Sequence, residues 1–95
     1  MKRITFTWDN KKNSMNTQKH GISFDEAKSV FYDDNARLIH DPDHSEEEER
    51  FLILGLSEKL NMLVVCHCYR ENDEIIRIIS ARKATKNEKM QYEEF

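Results

Sequence analysis

The spacing of apolar residues changes near residue 35, from the period of helices to the two-residue alternation of strands, and this change restricts the fold to the α+β class. Residues 3–8 alternate as a short strand. Asp9 can then cap a helix running to about His20, which Gly21 stops in the left-handed conformation before Ile22 folds back. Met15 is the only large apolar residue of this helix, so it is expected at the surface. Ser23 and Glu26 form a capping box, and Phe24, Ala27, Val30 and Phe31 supply the apolar stripe of a second helix that ends near Asp33 and Asp34. Strand spacing then covers 36–40, 51–56, 60–69 and 75–81, with turns around Ser57, Glu58 and Lys59 and at Glu71 and Asn72. Thr85 and Glu88 form another capping box, so a last helix should run through about Glu94. The order β-α-α-β-β-β-β-α predicts a mostly antiparallel five-stranded sheet with two N-terminal helices and one C-terminal helix, segregated to one face. At 95 residues the chain fits a single domain over 1–95.

The formal net charge of −3 averages unlike regions. Asp41, Asp43 and Glu46 to Glu49 hold six negative charges, and without them the remainder stands at +3. Residues 1–20 alone carry Lys2, Arg3, Lys11, Lys12 and Lys19 against a single Asp9, or +4. A basic surface beside an acidic loop follows, and such a surface suits polyanions such as RNA. No apolar run approaches the ~18 residues of a membrane span, and the N-terminus lacks the apolar region of a secretory signal, so a cytoplasmic protein is expected. Cys66 and Cys68 alternate onto one strand face, where their spacing suits reduced core thiols better than a disulfide.

The stretch 77–88 joins an apolar strand to a helix start through Arg77, Arg82, Lys83 and Lys86. Arginine is rarely buried unpaired, so these side chains either meet carboxylates such as Glu71 and Glu74 or line a cleft for an anion. Alternation puts Leu63, Val65, His67 and Tyr69 on one face of their strand. On the next strand it puts Ile76, Ile78, Ser80 and Arg82 on one face and Arg77 on the other. A two-residue turn at Glu71 and Asn72 places His67 on the face of Arg82; a three-residue turn places it beside Arg77. A histidine among arginines can cleave RNA without metal: the imidazole, with an ordinary pKa of about 6.5, moves protons while Arg and Lys stabilise the developing phosphorane. His67 can equally be a core side chain satisfied by a backbone group. Lys19 and His20 suit a helix C-terminus whatever their function. Tyr69 and Tyr92 can stack on bases or simply pack. His40, Asp41, Asp43 and His44 match no metal-ligand spacing, and with only Gly21 and Gly55 there is no phosphate-cradling glycine loop. No metal and no cofactor is expected.

Several segments, in order, resemble one family: Phe6-Thr7-Trp8-Asp9, Lys19-His20-Gly21-Ile22-Ser23-Phe24, Val30-Phe31, Asp41-Pro42-Asp43-His44-Ser45, Arg50-Phe51, and Arg77-Ile78-Ile79-Ser80-Ala81-Arg82-Lys83-Ala84-Thr85 with Tyr92-Glu93-Glu94. They are similar to the BrnT toxins. The resemblance implies a RelE-like fold and a ribonuclease toxin of a type II toxin-antitoxin pair that blocks translation by cutting RNA. It implies a ribbon-helix-helix antitoxin of the BrnA kind, in a hetero-oligomer that reaches operator DNA only through the antitoxin. Lys19, His67 and Arg82, with Arg77 as a second cation, match positions able to carry catalysis. Lys83, Lys86, Tyr69 and Tyr92 would contact RNA. The alternative is a catalytically silent partner-binding module acting with a DNA-binding antitoxin in autoregulation.

Overall fold

The computed structural model describes residues 4–40 and 49–93. Five strands, β1 (Thr5–Thr7), β2 (Arg37–His40), β3 (Phe51–Leu56), β4 (Met62–Arg70) and β5 (Ile75–Lys83), form one sheet in the order β1-β5-β4-β3-β2. β1 runs parallel to β5, and the remaining pairs are antiparallel. Helices α1 (Asn10–His20), α2 (Phe24–Ser29) and α3 (Lys86–Glu93) complete the α+β fold, with a 3-10 turn at Val30–Tyr32 finishing the segment read from sequence as one longer helix. Among the described residues no helix is long and apolar enough to cross a membrane.

The helix ends are set locally. Asp9 accepts the Lys11 amide at 2.8 Å, and Gly21, at φ 71, closes α1 by donating to the Thr17 carbonyl. Thr85 and Glu88 make a reciprocal box at the start of α3, each side chain accepting the other's amide. At α2 only half of the expected box forms. Ser23 Oγ accepts the Glu26 amide, but the buried Glu26 carboxylate turns away to accept from Ser57 Oγ at 2.7 Å and Asn61 Nδ2 at 2.8 Å. It thereby ties α2 to the β3–β4 hairpin.

Ile22, Phe24, Ala27 and Val30 pack on Ile53, Leu63, Val65, Ile78 and Ala81, the face of the sheet turned toward α1 and α2. Gly55 is obligatory in this layer, because an added Cβ would lie 2.9 Å from Val30 and 3.0 Å from Ala36. The opposite face carries a row made by Arg37, Leu54, Val64 and Arg82, one residue from each of four paired strands. Helix α3 meets both ends of that row: Glu88 binds Arg82, and Arg37 donates to the Gln91 carbonyl. Leu54 and Val64 between them are 1% and 2% exposed. The three helices therefore do not share a face, as segregation of helices would have it; α3 lies against the second one. Cys66 and Cys68 form no disulfide, and both are buried on this second face.

Candidate active site

A β-bulge builds the site. Pairing of β4 with β5 steps from His67 opposite Ile78 to Cys66 opposite Ser80, so Ile79 has no partner and the alternation of β5 reverses there. Ile76 and Ile78 face the helical core before the bulge, and Ala81 does so after it. Arg77, Ser80 and Arg82 consequently share the second face, opposite Cys68, Cys66 and Val64. This corrects the strict alternation expected from sequence, which separates Arg77 from Arg82 and, with a two-residue turn, unites Arg82 with His67. The turn itself spans Glu71 to Glu74, since Arg70 pairs with Ile75; Glu71, Asn72 and Asp73 all have positive φ. Neither register considered from sequence is adopted, and His67 lies across the sheet from both arginines.

β1 pairs only with Ile75 to Arg77, so further along β5 the neighbour is α1 rather than a strand. Asn16 closes the gap. Its amide nitrogen donates to the carbonyls of Ala81 at 2.8 Å and Ile22 at 2.9 Å, and its oxygen accepts the Ala81 amide at 3.1 Å. The side chain thus replaces a neighbouring strand for one residue and satisfies backbone groups that burial would otherwise orphan. Met15 points outward at 60% exposure, which reverses the usual assignment of apolar residues to the inner face.

Anchoring by Asn16 turns one face of α1 toward the bulge. Between them lies an open cleft of about 490 Å³, lined by Lys12, Met15, Asn16, Gln18, Lys19 and His20 of α1 and by Ile79 and Ser80 of β5. Two lysines and a histidine line it, and no carboxylate does. Such a cleft attracts an anion and offers one imidazole for proton transfer.

Arg82 lies two residues beyond Ser80 on the same face. Its guanidinium makes a bidentate pair with Glu88, at 2.8 and 2.9 Å, and its side chain stays 40% exposed. Those hydrogen bonds hold the Glu88 carboxyl down at about 2, against the opposing effect of burial and with help from the Thr85 amide. Arg77 is half-buried. It adds to the attraction that holds the Asp9 carboxyl below the ordinary range, a shift due first to the Lys11 and Lys12 amides.

The other residues singled out from sequence lie elsewhere. His67 has no exposed surface; its Nδ1 faces the Val65 carbonyl at 3.2 Å, its Nε2 faces the Tyr69 hydroxyl at 3.4 Å, and Phe31 stacks edge-on at 4.8 Å. Burial pushes its pKa below the ordinary histidine value, more than the Val65 hydrogen bond restores. A folded-state pKa below the unfolded 6.5 contributes stability above pH 6.5 that is lost as pH falls through the folded value. Histidine NMR titration should accordingly find the His67 midpoint below 6.5; a midpoint at or above 6.5 would contradict this burial. Tyr69 packs between Phe51, at 5.5 Å, and His67. Tyr92 donates to Asp33 at 2.7 Å, which raises its own pKa and ties the end of α3 down. Lys83 and Lys86 are exposed at the end of β5 and the start of α3. Lys19 lines the cleft; Tyr69, Tyr92 and His67 do not. Among the described residues no three His, Cys, Asp or Glu side chains form a metal-binding group, and Asp41, Asp43 and His44 lie outside the described residues. Sequence reasoning missed Asn16, Ser80 and His20 as residues of the site. His20 had a signal, the Lys-His-Gly helix end, but the helix dipole accounted for it already.

The fold is that of a small α+β toxin. The crystal structure of the ribonuclease toxin BrnT from Brucella abortus matches with a TM-score of 0.66 and 22% identity, over 88% of this chain and 100% of that one. The family model described as "Ribonuclease toxin, BrnT, of type II toxin-antitoxin system" matches residues 8–88, and the chain belongs to this family. No curated protein matches it.

Proposed function

We propose that the chain is a metal-independent endoribonuclease whose active site is the edge between α1 and β5, and that it inhibits translation in the cytoplasm by cutting RNA. The observation that carries this reading is the cleft lined by Lys12, Lys19 and His20 without a carboxylate, beside a strand face bearing Arg77, Ser80 and Arg82. Cleavage within RNA requires the 2′-hydroxyl to lose a proton and attack phosphorus while the 5′-oxygen leaves. Negative charge grows on the phosphoryl oxygens, and fixed cations stabilise it without metal. Lys19, which lines the cleft, would meet those oxygens. Arg82 holds a carboxylate in the planar two-point geometry that also fits a phosphate, so an incoming phosphodiester can take over the contact with Glu88. Arg77, Lys83 and Lys86 extend the cationic track for the strand on either side. His67 and Tyr69 support the aromatic end of the core in this reading.

A ribbon-helix-helix antitoxin of the BrnA kind would silence the protein by laying an acidic or amphipathic segment over the cleft, and would bring the pair to operator DNA. Charges so covered need partners, which makes the lysines and arginines of the site part of that interface. The occupation of Arg82 by Glu88 favours a second reading, a catalytically silent module that only binds such an antitoxin. Incubating the partner-free protein with single-stranded RNA in excess chelator separates the possibilities. Cleavage in chelator is expected. Activity that vanishes with EDTA and returns with Mg²⁺ removes metal independence, and no cleavage under either condition leaves the silent module.

A further inference from the structure

We infer that His20 is the proton-transfer residue of this site, an assignment that rests on the ribonuclease reading above. The face of α1 turned to β5 is fixed by Asn16, whose three hydrogen bonds to Ala81 and Ile22 set both the rotation and the depth of the helix. His20 follows Asn16 by one helical turn and so projects from the same face. It is half-buried in the cleft wall, neither locked in the core nor free in solvent. Lys12 and Lys19 of its own helix are the charged groups beside it in the cleft, and β5 contributes only Ile79 and the hydroxyl of Ser80. A phosphate drawn in by the two lysines therefore arrives against an imidazole. The other described histidine side chain, His67, is enclosed in the core against Phe31 with both ring nitrogens engaged.

The step balances with no co-reactant. A neutral His20 nitrogen takes the proton of the 2′-hydroxyl as that oxygen bonds to phosphorus. The bond from phosphorus to the 5′-oxygen breaks, and the proton held on His20 passes to the departing 5′-oxygen. The products are a 2′,3′-cyclic phosphate and a 5′-hydroxyl end, with one imidazole acting first as base and then as acid.

Single-turnover cleavage across pH tests this with His20→Gln and His20→Asn, alongside binding of an all-2′-deoxy analogue that cannot be cut. Both variants should lose roughly 10²-fold or more in rate, and the shape of the parental pH profile should change with them. Affinity for the analogue should stay within about threefold, because the lysines remain. Rates within about threefold of the parent protein would overturn the assignment. So would a slow variant that keeps the parental pH profile, since His20 would then act through structure alone. If the parent protein itself cuts no RNA at any pH, the ribonuclease reading fails first and this inference with it. Two variants guard against a folding defect, and circular dichroism must match the parent for either to count.

Discussion

Asn16→Asp should be among the most damaging isosteric changes in this protein. It exchanges the amide nitrogen that donates to Ala81 and Ile22 for an oxygen, so two carbonyls at 2.8 and 2.9 Å would face a buried carboxylate. The charge has no described cationic partner among its hydrogen bonds, and leaving one buried and uncompensated costs roughly 3 kcal/mol or more. Small domains have only about 5–15 kcal/mol in total, so the midpoint of denaturant unfolding should fall steeply. Asn16→Leu removes the charge but still orphans the Ala81 amide and two carbonyls, at about 1–3 kcal/mol for each group that water cannot reach. A midpoint for Asn16→Asp within error of the parent would show that α1 is not anchored to β5 in this way. The cleft would then have no fixed wall.

The second large effect belongs to catalysis. Arg82→Ala should reduce RNA cleavage by about 10²-fold, the scale seen when one stabiliser of developing charge is removed. The fold should survive, because a partly exposed ion pair contributes little and Glu88 still caps Thr85. Arg82→Lys should recover only part of the rate, since an ammonium lacks the two-point geometry. Lys19→Ala should lose a comparable amount, whereas Arg77→Ala, nearer to Asp9, should cost less. Equal cleavage by the parent protein and Arg82→Ala, at matched stability, would remove Arg82 from the site.

Local rules made much of the fold legible in the sequence, and long-range ones hid most of the site. Asp9, Gly21, Ser23 and the Thr85–Glu88 box act within four residues, so each helix start or stop could be read directly. The segment from Ser23 finishes as a 3-10 turn, and its capping box forms only by half because Glu26 spends its carboxylate on Ser57 and Asn61, more than thirty residues away. The second hairpin was harder. Glu71, Asn72 and Asp73 all enter the left-handed region, and nothing local distinguishes a four-residue turn from the two- or three-residue turns considered from sequence. The bulge at Ile79 was invisible for a plainer reason: Ile78 and Ile79 are adjacent isoleucines, so a slip of one there exchanges one apolar residue for another and leaves the pattern looking intact. That slip decides which face Arg82 occupies. Asn16 was hidden as well, since a polar residue in a polar helix signals exposure until the open edge of β5 is known.

The placement of the site at the α1–β5 edge is tested most directly by mapping bound RNA onto the backbone amides. A short single-stranded oligonucleotide carrying 2′-deoxy nucleotides cannot be cleaved and can be titrated into isotope-labelled protein. The largest shift changes should fall on Lys12, Lys19, His20 and Ser80, reach Arg82 and Glu88 as the phosphate competes for the guanidinium, and weaken with added salt. Changes confined to the aromatic end around Phe51, His67 and Tyr69, with the cleft residues unmoved, would contradict the account.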